Sequence, residues 1–446
     1  MPIIGANGRV ASALNCVAIG QRRHYTSRQV SDESYSGQMP KAAPTTKAAN
    51  LANLCLLVTA TAATLWDFRL FDLRIFDGIA LASLAAFFLV APEPLDGFLQ
   101  RRRDGWLLFA TIAVYSALGF ALHGHRSSLA ILALGVIGFI LISRQNWLPA
   151  TRLFQWLLIA HISFFLIQFF AFYLIKVEID FQTIIGAQSR ITERVYQIRA
   201  AGLFQEANSY CLNVFVLGTI VVLHRANWAL ILATAVTMTI SESIWGAGAA
   251  FVLLFLDAMN RARSLRQMIK GLVTFGLAIA VIFNAYLWLT KQPHETLPFF
   301  YTRVLGVLDD PSTNERYLRN TCSSAAQADI ASVPPTTRAL HWAFGEGLST
   351  QFFTECLPAN GIAFLFKSLG AIGLIALFIG FARALRSRPI REKFYAALAI
   401  GFSFTTYPLV TYVIFWIWLP AIIGLLRLRD NAPAPDQDPP AERLVG

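Results

Sequence analysis

Long apolar runs fill most of this chain, and one polar stretch, from about Lys291 to Leu357, interrupts them. A segment crossing ~30 Å of hydrocarbon needs ~20 mostly apolar residues, folded so that every backbone polar group is satisfied internally. Candidate runs lie at 50–66, 75–92, 106–122, 128–143, 152–175, 203–223, 226–241, 243–258, 268–290, 358–382, 393–407 and 408–426. They predict about twelve crossings. The pairs 226–258 and 393–426 have very short turns, and reading one as a re-entrant pair lowers the count to about ten. A composition 56% hydrophobic and 14% charged, with 35 Phe, fits no soluble protein of 446 residues. The expected fold is all-α: a polytopic integral membrane protein of about twelve transmembrane helices with one long helical outer loop over 291–357.

Lys and Arg mark the inner side of a membrane protein. The N-terminal segment carries Arg22, Arg23, Arg28, Lys41 and Lys47. Basic residues recur in "LQRRRDG", at Arg144 and Arg152, and in "HRANW", "NRARSLRQMIK", "RALRSRPIREK" and "RLRD". These are the even-numbered boundaries, so both termini are expected in the cytoplasm and 291–357 outside. Topology and anionic lipid heads then explain the net charge of +11, and no nucleic-acid partner is expected.

Residues 1–49 are rich in Ser, Thr, Ala and Gly and lack the apolar core of a signal peptide, so they read as a disordered cytoplasmic arm. The tail 427–446 reads the same way, leaving 50–426 as the membrane domain. Cys55 and Cys211 lie in apolar runs and read as packing residues. Cys322 and Cys356 both fall on the outer side, and the sequence leaves open whether they pair. No metal-ligand spacing, phosphate loop or dinucleotide fingerprint is present, so neither metal nor cofactor is expected.

Two outer segments hold the candidate chemistry. The first, "SRITERVYQIRAAGLFQEANSY", sets Arg190, Arg194 and Arg199 beside Val195, Ile198 and Leu203. It brings Glu206 and Asn208 to the mouth of the sixth run. A carboxylate there must be wet, paired or neutral. It reads either as a helix cap or as an acidic group beside the Arg cluster. The second segment, 291–357, carries Arg303 and then "DDPSTNERYLRN". There Ser312 or Thr313 caps a short helix bearing Arg316 and Arg319. "AFGEGLS" is a Gly-flanked turn, where the glycines permit close backbone approach to a ligand or simply a bend. "TECLPANG" returns the chain to the membrane with Glu355 and Asn360, and His341 lies between these elements.

Outward-facing Arg groups need an anionic partner. Lipid heads suffice for loose contacts, whereas a diphosphate offers several oxygens to the rigid guanidinium fork. Arg clamps also neutralise charge growing on a phosphate leaving group. A carboxylate or imidazole in reach can take the proton of an attacking sugar hydroxyl. Together these parts describe sugar transfer from a lipid diphosphate. Glu206 is the preferred proton acceptor, because it follows Arg199 closely and stands against an apolar span. Glu355 and His341 are the other candidates, and His341 shows no orienting partner in the sequence.

The chain resembles the bacterial O-antigen ligase and polymerase superfamily of polytopic membrane glycosyltransferases. The resemblance rests on "RAAGLFQEANSYCLNVFVLG", "SESIWGAGAAFVLLFL", "NER", "FGEG" and "NGIAFLFKSLGAIGLIAL", in that order over roughly 50–426. It implies an undecaprenyl-diphosphate-linked donor, an outer-face reaction and inversion at the anomeric carbon. Departures are Glu206 and Ala207 where relatives carry a plain polar residue and Pro, Glu242 where Arg is common, and Glu355 set apart from Asn360. The implied function is polymerisation of lipid-linked oligosaccharide repeat units in the inner membrane, beside a flippase and a chain-length regulator. The candidate substrate-binding residues are Arg194, Arg199, Asn208, Arg303, Arg316, Arg319 and Asn360; of these Arg199, Arg316 and either Arg194 or Arg303 are expected to grip the diphosphate, because outer-side Arg groups lie in two segments flanking the membrane mouth. A ligase acting on a lipid A core acceptor shares that donor. A polysaccharide or lipid transporter, of another class, predicts ionisable groups along a mid-membrane path.

Overall fold

The computed structural model describes residues 46–65, 67, 75–90, 106–124, 126–143, 151–184, 200–224, 227–241, 243–262, 334–349, 361–386, 388–407 and 409–428, with a few positions between 266 and 277. Most of the N-terminal arm, most of 291–357 and nearly all of the tail lie outside the described residues.

Thirteen α-helices follow in order among the described residues: α1 (Thr46–Thr64), α2 (Ile75–Val90), α3 (Trp106–His123), α4 (Arg126–Ser143), α5 (Thr151–Phe170), α6 (Phe181–Ile184), α7 (Ala207–Leu223), α8 (Trp228–Ile240), α9 (Ile244–Arg261), α10 (Pro335–Phe344), α11 (Gly361–Ala384), α12 (Ile390–Ser403) and α13 (Val413–Leu428). A π-helical turn, Ala171–Ile175, prolongs α5. Local chemistry sets several boundaries. The Asn227 side chain accepts from Ala229 N to cap α8, and Ser243 Oγ accepts from Gly246 N to cap α9. Pro335 opens α10, and Gly345, at φ +71°, closes it.

Three described helices are long and apolar enough to cross a membrane: Trp106–His123, Arg152–Ile175 and Gly361–Ala384. They make the chain a multi-pass membrane protein. They also correct the expectation of about twelve crossings, because the other apolar helical stretches among the described residues, such as Asn50–Thr64, Ile75–Val90 and Ala207–Leu223, have only 10–17 residues. The 13 residues of α8 rise only ~20 Å, well short of the hydrocarbon thickness. α12 opens with Arg391, Glu392 and Lys393, so its apolar part is shorter still. The all-α class stands.

The core centres on α7, whose 17 residues are all buried. α5, α8, α9, α12 and α13 pack around it. Polar pins fix it in this apolar setting. Tyr395 Oη donates to Thr219 O (2.7 Å), Trp418 Nε1 to Thr219 Oγ1 (2.9 Å), and Asn260 Nδ2 to Val222 O. Between helices such bonds replace the hydrophobic drive that lipid removes.

The two ends of this bundle differ in chemistry. At one end Arg391 Nη1 donates to Ala262 O (2.7 Å) and Arg388 Nη1 to Leu426 O (2.6 Å), while Arg261 pairs with Asp257. This end gathers the C-termini of α9 and α13 and the start of α12. Leu108, near the start of α3, packs on Gly380 near the end of α11, which brings the start of α3 to the same end. The opposite end gathers the start of α7, the start of α9, the end of α12 and the start of α11, where Ile362 N donates to Phe404 O (3.0 Å).

Candidate functional site

The opposite end holds the first candidate site, built around the approach to α7. Residues 200–206 are held as a fixed strap. Gln168 Oε1 accepts from both Ala201 N (2.7 Å) and Gly202 N (2.9 Å), and its Nε2 donates to Ile179 O (2.8 Å). Gln182 Nε2 donates to Leu203 O (2.6 Å), and Gln205 N to Asp67 Oδ2 (3.2 Å). Gly202 sits at φ +59° against the backbone of Phe165, a place no side chain fills without strain. Phe204 of the strap is buried, its ring beside His161 and Tyr210.

Glu206 then takes the N-cap position of α7 with extended backbone, but its side chain makes no capping bond. Its Oε1 accepts instead from Tyr407 Oη. The cap reading is therefore corrected: the carboxylate faces the α12–α13 connection. Ser209 Oγ lies 3.4 Å from Tyr407 Oη. Asn208 is buried, and its Oδ1 accepts from Ser243 Oγ, the residue that caps α9. Ser241 Oγ lies 3.0 Å from Cys211 Sγ. "GLFQEANSY" and "SESIWG", separated in sequence, thus meet side chain to side chain.

Tyr407 escaped the sequence reading. It lies where the run at 393–407 gives way to that at 408–426, and its "TTYP" setting, polar residues before a proline, was the available signal.

The structure places His341 elsewhere. It lies on α10, with Nδ1 3.8 Å from Oε1 of Glu346, a residue that sequence reasoning passed over inside "FGEG". The turn does not stay outside the bundle. Glu346 N donates to Lys367 O (2.9 Å), Gly347 N to Ser368 O (2.8 Å) and Leu348 N to Tyr115 O (2.8 Å). The turn is wedged between α3 and α11 where α11 breaks at Gly370, with φ 59° and ψ −173°. The close approach its glycines permit is to helix backbone. A Cβ on Gly345 would lie 2.4 Å from Ser368 O, and one on Gly347 would lie 2.2 Å from Gly119 N.

Glu206 and Asn208 are therefore brought together, and His341 joins Glu346 in a second polar group. Arg194, Arg199, Arg303, Arg316, Arg319, Glu355 and Asn360 lie outside the described residues, as do Cys322 and Cys356. Cys55 and Cys211 are buried. Among the described residues no group of three or more His, Cys, Asp or Glu is placed to hold a metal ion.

No family model, no curated protein and no solved structure matches the chain.

Proposed function

We propose that this protein is a membrane glycosyltransferase that polymerises lipid-linked oligosaccharide repeat units. It transfers a growing chain from an undecaprenyl-diphosphate donor to the next lipid-linked unit, at the outer face of a bacterial inner membrane. The observation that carries this reading is the mouth of α7, where Glu206 is held by Tyr407 and Asn208 by Ser243. A fixed carboxylate with amide and hydroxyl groups beside it suits the hydroxyls of a sugar, which need convergent donors and acceptors. The resemblance to O-antigen polymerases adds to the reading, because two of its separate motifs supply the contacting pair Asn208 and Ser243.

Sidedness supports it as well. The mouth lies at the end opposite Arg261, Arg388 and Arg391, and basic ends face the cytoplasm. Both termini are assigned to the cytoplasm on the same ground. The donor's diphosphate is assigned to Arg199, Arg316 and either Arg194 or Arg303, with Asn208 and Asn360 on the sugar side. Such a clamp neutralises the leaving diphosphate as the sugar departs.

The test is polymer formation by purified protein in proteoliposomes loaded with lipid-diphosphate-linked repeat units. Wild type should give a ladder of products. Glu206→Gln keeps the shape but removes the charge, and a charge-assisted bond contributes about 1.5–3 kcal/mol. The rate should then fall by about ten- to over a hundredfold. A wild-type protein that forms no ladder, or a Glu206→Gln protein as fast as wild type, refutes the reading of this mouth.

A further inference from the structure

One flank of the bundle is shorter than the bilayer it stands in. α9 packs on both α8 and α12, and all three helices present an exposed face. On α8, Trp228, Leu232 and Val236 form one exposed apolar stripe that ends at exposed Thr239, a rise of ~17 Å. On α9, the Asp257–Arg261 ion pair marks the basic end. Trp245, whose Nε1 donates to Thr405 Oγ1 (2.7 Å), marks the other end, ~18 Å away. From Lys393 in the first turn of α12 to Thr405 the rise is again ~18 Å. Charged pairs lie outside hydrocarbon, and a Trp with a bonded N–H belongs at the membrane–water interface. All three helices thus carry an apolar face well short of the ~30 Å of a bilayer core.

The α5 flank is full length. Arg152–Ile175 has 24 apolar-rich residues, a rise of ~36 Å. The two flanks are levelled against each other through α7. Phe165 of α5 stacks on Tyr210 of α7, with ring centroids 4.6 Å apart. Next to Tyr210, Cys211 Sγ lies 3.0 Å from Ser241 Oγ at the end of α8, and Gly246 of α9 packs on the same thiol. Phe165 therefore stands level with the mouth ends of α8 and α9. From Phe165, α5 and its π-helical turn run on to Lys176, ~16 Å further. Ile167, Leu174 and Ile175 are exposed on those further turns, an apolar face that needs lipid. Hydrocarbon thus continues ~16 Å past this level along α5, where polar groups already end it along α8, α9 and α12.

We propose that the α8–α9–α12 flank draws the mouth-side surface of the bilayer down, and binds phospholipid head groups level with the mouth. A bilayer meets a short apolar flank by thinning, at a modest cost for each ångström. The alternative leaves the turns after α8 and α12 facing lipid, and irregular backbone in contact with lipid is not tolerated inside hydrocarbon. Trp245 and Thr405 form the rim that the head groups meet. The indole is bonded to Thr405 and stacks on Phe402 (5.3 Å), so the rim is fixed. α5 keeps the bilayer at full height on its own side, and the surface slopes from one flank to the other. Head groups on the thinned side lie level with Glu206 and Asn208 instead of above them. The thinning follows from the lengths of the two flanks and stands apart from the glycosyl-transfer reading.

The experiment measures depth and needs no turnover. Ala247→Cys on α9, Thr239→Cys on α8 and Ile167→Cys on α5 are made singly in a cysteine-free background. All three positions are exposed and stand near the level of the mouth. Each full-length variant is labelled with bimane and reconstituted in dioleoylphosphatidylcholine vesicles. The vesicles carry a lipid nitroxide either on the head group or near the end of the acyl chain. The head-group nitroxide should quench the Ala247 and Thr239 labels about twofold or more better than the chain-end nitroxide, and the Ile167 label should show the reverse. Ala247 and Thr239 report independently, so a variant that fails to fold leaves the other to decide. Chain-end quenching of all three labels means a bilayer of even thickness and overturns the proposal. Head-group quenching of all three means no slope and overturns it as well. Ala247 and Thr239 labels that neither nitroxide reaches mean a flank covered by protein, which also overturns it.

Discussion

Gly347→Ala is the most exacting test of the wedged turn. Gly347 sits at φ +86°, a conformation that costs a residue with a Cβ about 1–2 kcal/mol. The added methyl would lie 2.2 Å from Gly119 N and 2.4 Å from Gly119 Cα. Those atoms belong to the α3 backbone and cannot rotate aside as a flexible side chain would. Overpacking of this kind costs about 1–3 kcal/mol, so together with the backbone strain the change destabilises by about 2–5 kcal/mol. Expelling the turn is no escape. It would break the bonds from Glu346 N, Gly347 N and Leu348 N and strip cover from buried Leu348. The control is Gly401→Ala, where an added Cβ meets nothing within 4 Å. In a helix that change should be neutral or stabilise by up to ~1 kcal/mol. Both variants are purified in the same detergent and melted at one scan rate, since membrane-protein unfolding is commonly irreversible. Gly347→Ala should melt clearly below wild type and Gly401→Ala at or above it. Equal melting of the two variants would refute the placement of the turn between α3 and α11.

Other outcomes follow from the same structure. Gln168→Leu leaves the N–H groups of Ala201 and Gly202 without their shared acceptor, at about 1–3 kcal/mol each. It should lower both the melting temperature and the yield of folded protein, and a wild-type melt would count against the strap. Arg199→Ala and Arg316→Ala should each slow polymer formation by about ten- to over a hundredfold, from loss of a charge-assisted contact. Lysine should rescue poorly because it lacks the fork; full activity in both alanine variants, at normal protein levels, rules the clamp out. Cysteines placed singly at Ser324 and Ser34 in a cysteine-free background should react with an impermeant thiol reagent on intact cells at Ser324 alone. Labelling at Ser34 would reverse the assigned sidedness.

Helix positions were largely legible in the sequence, because apolar runs between polar breaks mark them. α2, α3 and α9 begin at or within a residue of the runs read for them. Their relation to the bilayer was not legible. Hydropathy reports that a residue avoids water and is silent on whether lipid or protein covers it. α7 is apolar because other helices surround it, and its 17 residues were read as part of a crossing on that ground. The site was legible in halves. Glu206 and Asn208 stood out as polar groups at an apolar boundary, but the Tyr407 contact is a pairing between residues 201 positions apart. "FGEG" was visible as a bend, yet nothing local reveals that the bend enters a gap opened by a break in another helix. Hence nothing local in the sequence links His341 to Glu346, which the fold sets 3.8 Å apart.

The complete burial of α7 bears on how the chain is made. Of the helices that cover it, only α5 precedes it; α8, α9, α12 and α13 are all synthesised later. Until they arrive, Asn208 has no Ser243 and Thr219 has neither Tyr395 nor Trp418. A nascent α7 must therefore wait, with polar groups uncovered, while roughly as many residues again are translated. Such a wait is the situation in which a partly made chain is most open to chaperones and proteases. Lesions in α12 and α13 that remove Tyr395 or Trp418 would then reduce the amount of protein before they reduced the activity of each molecule.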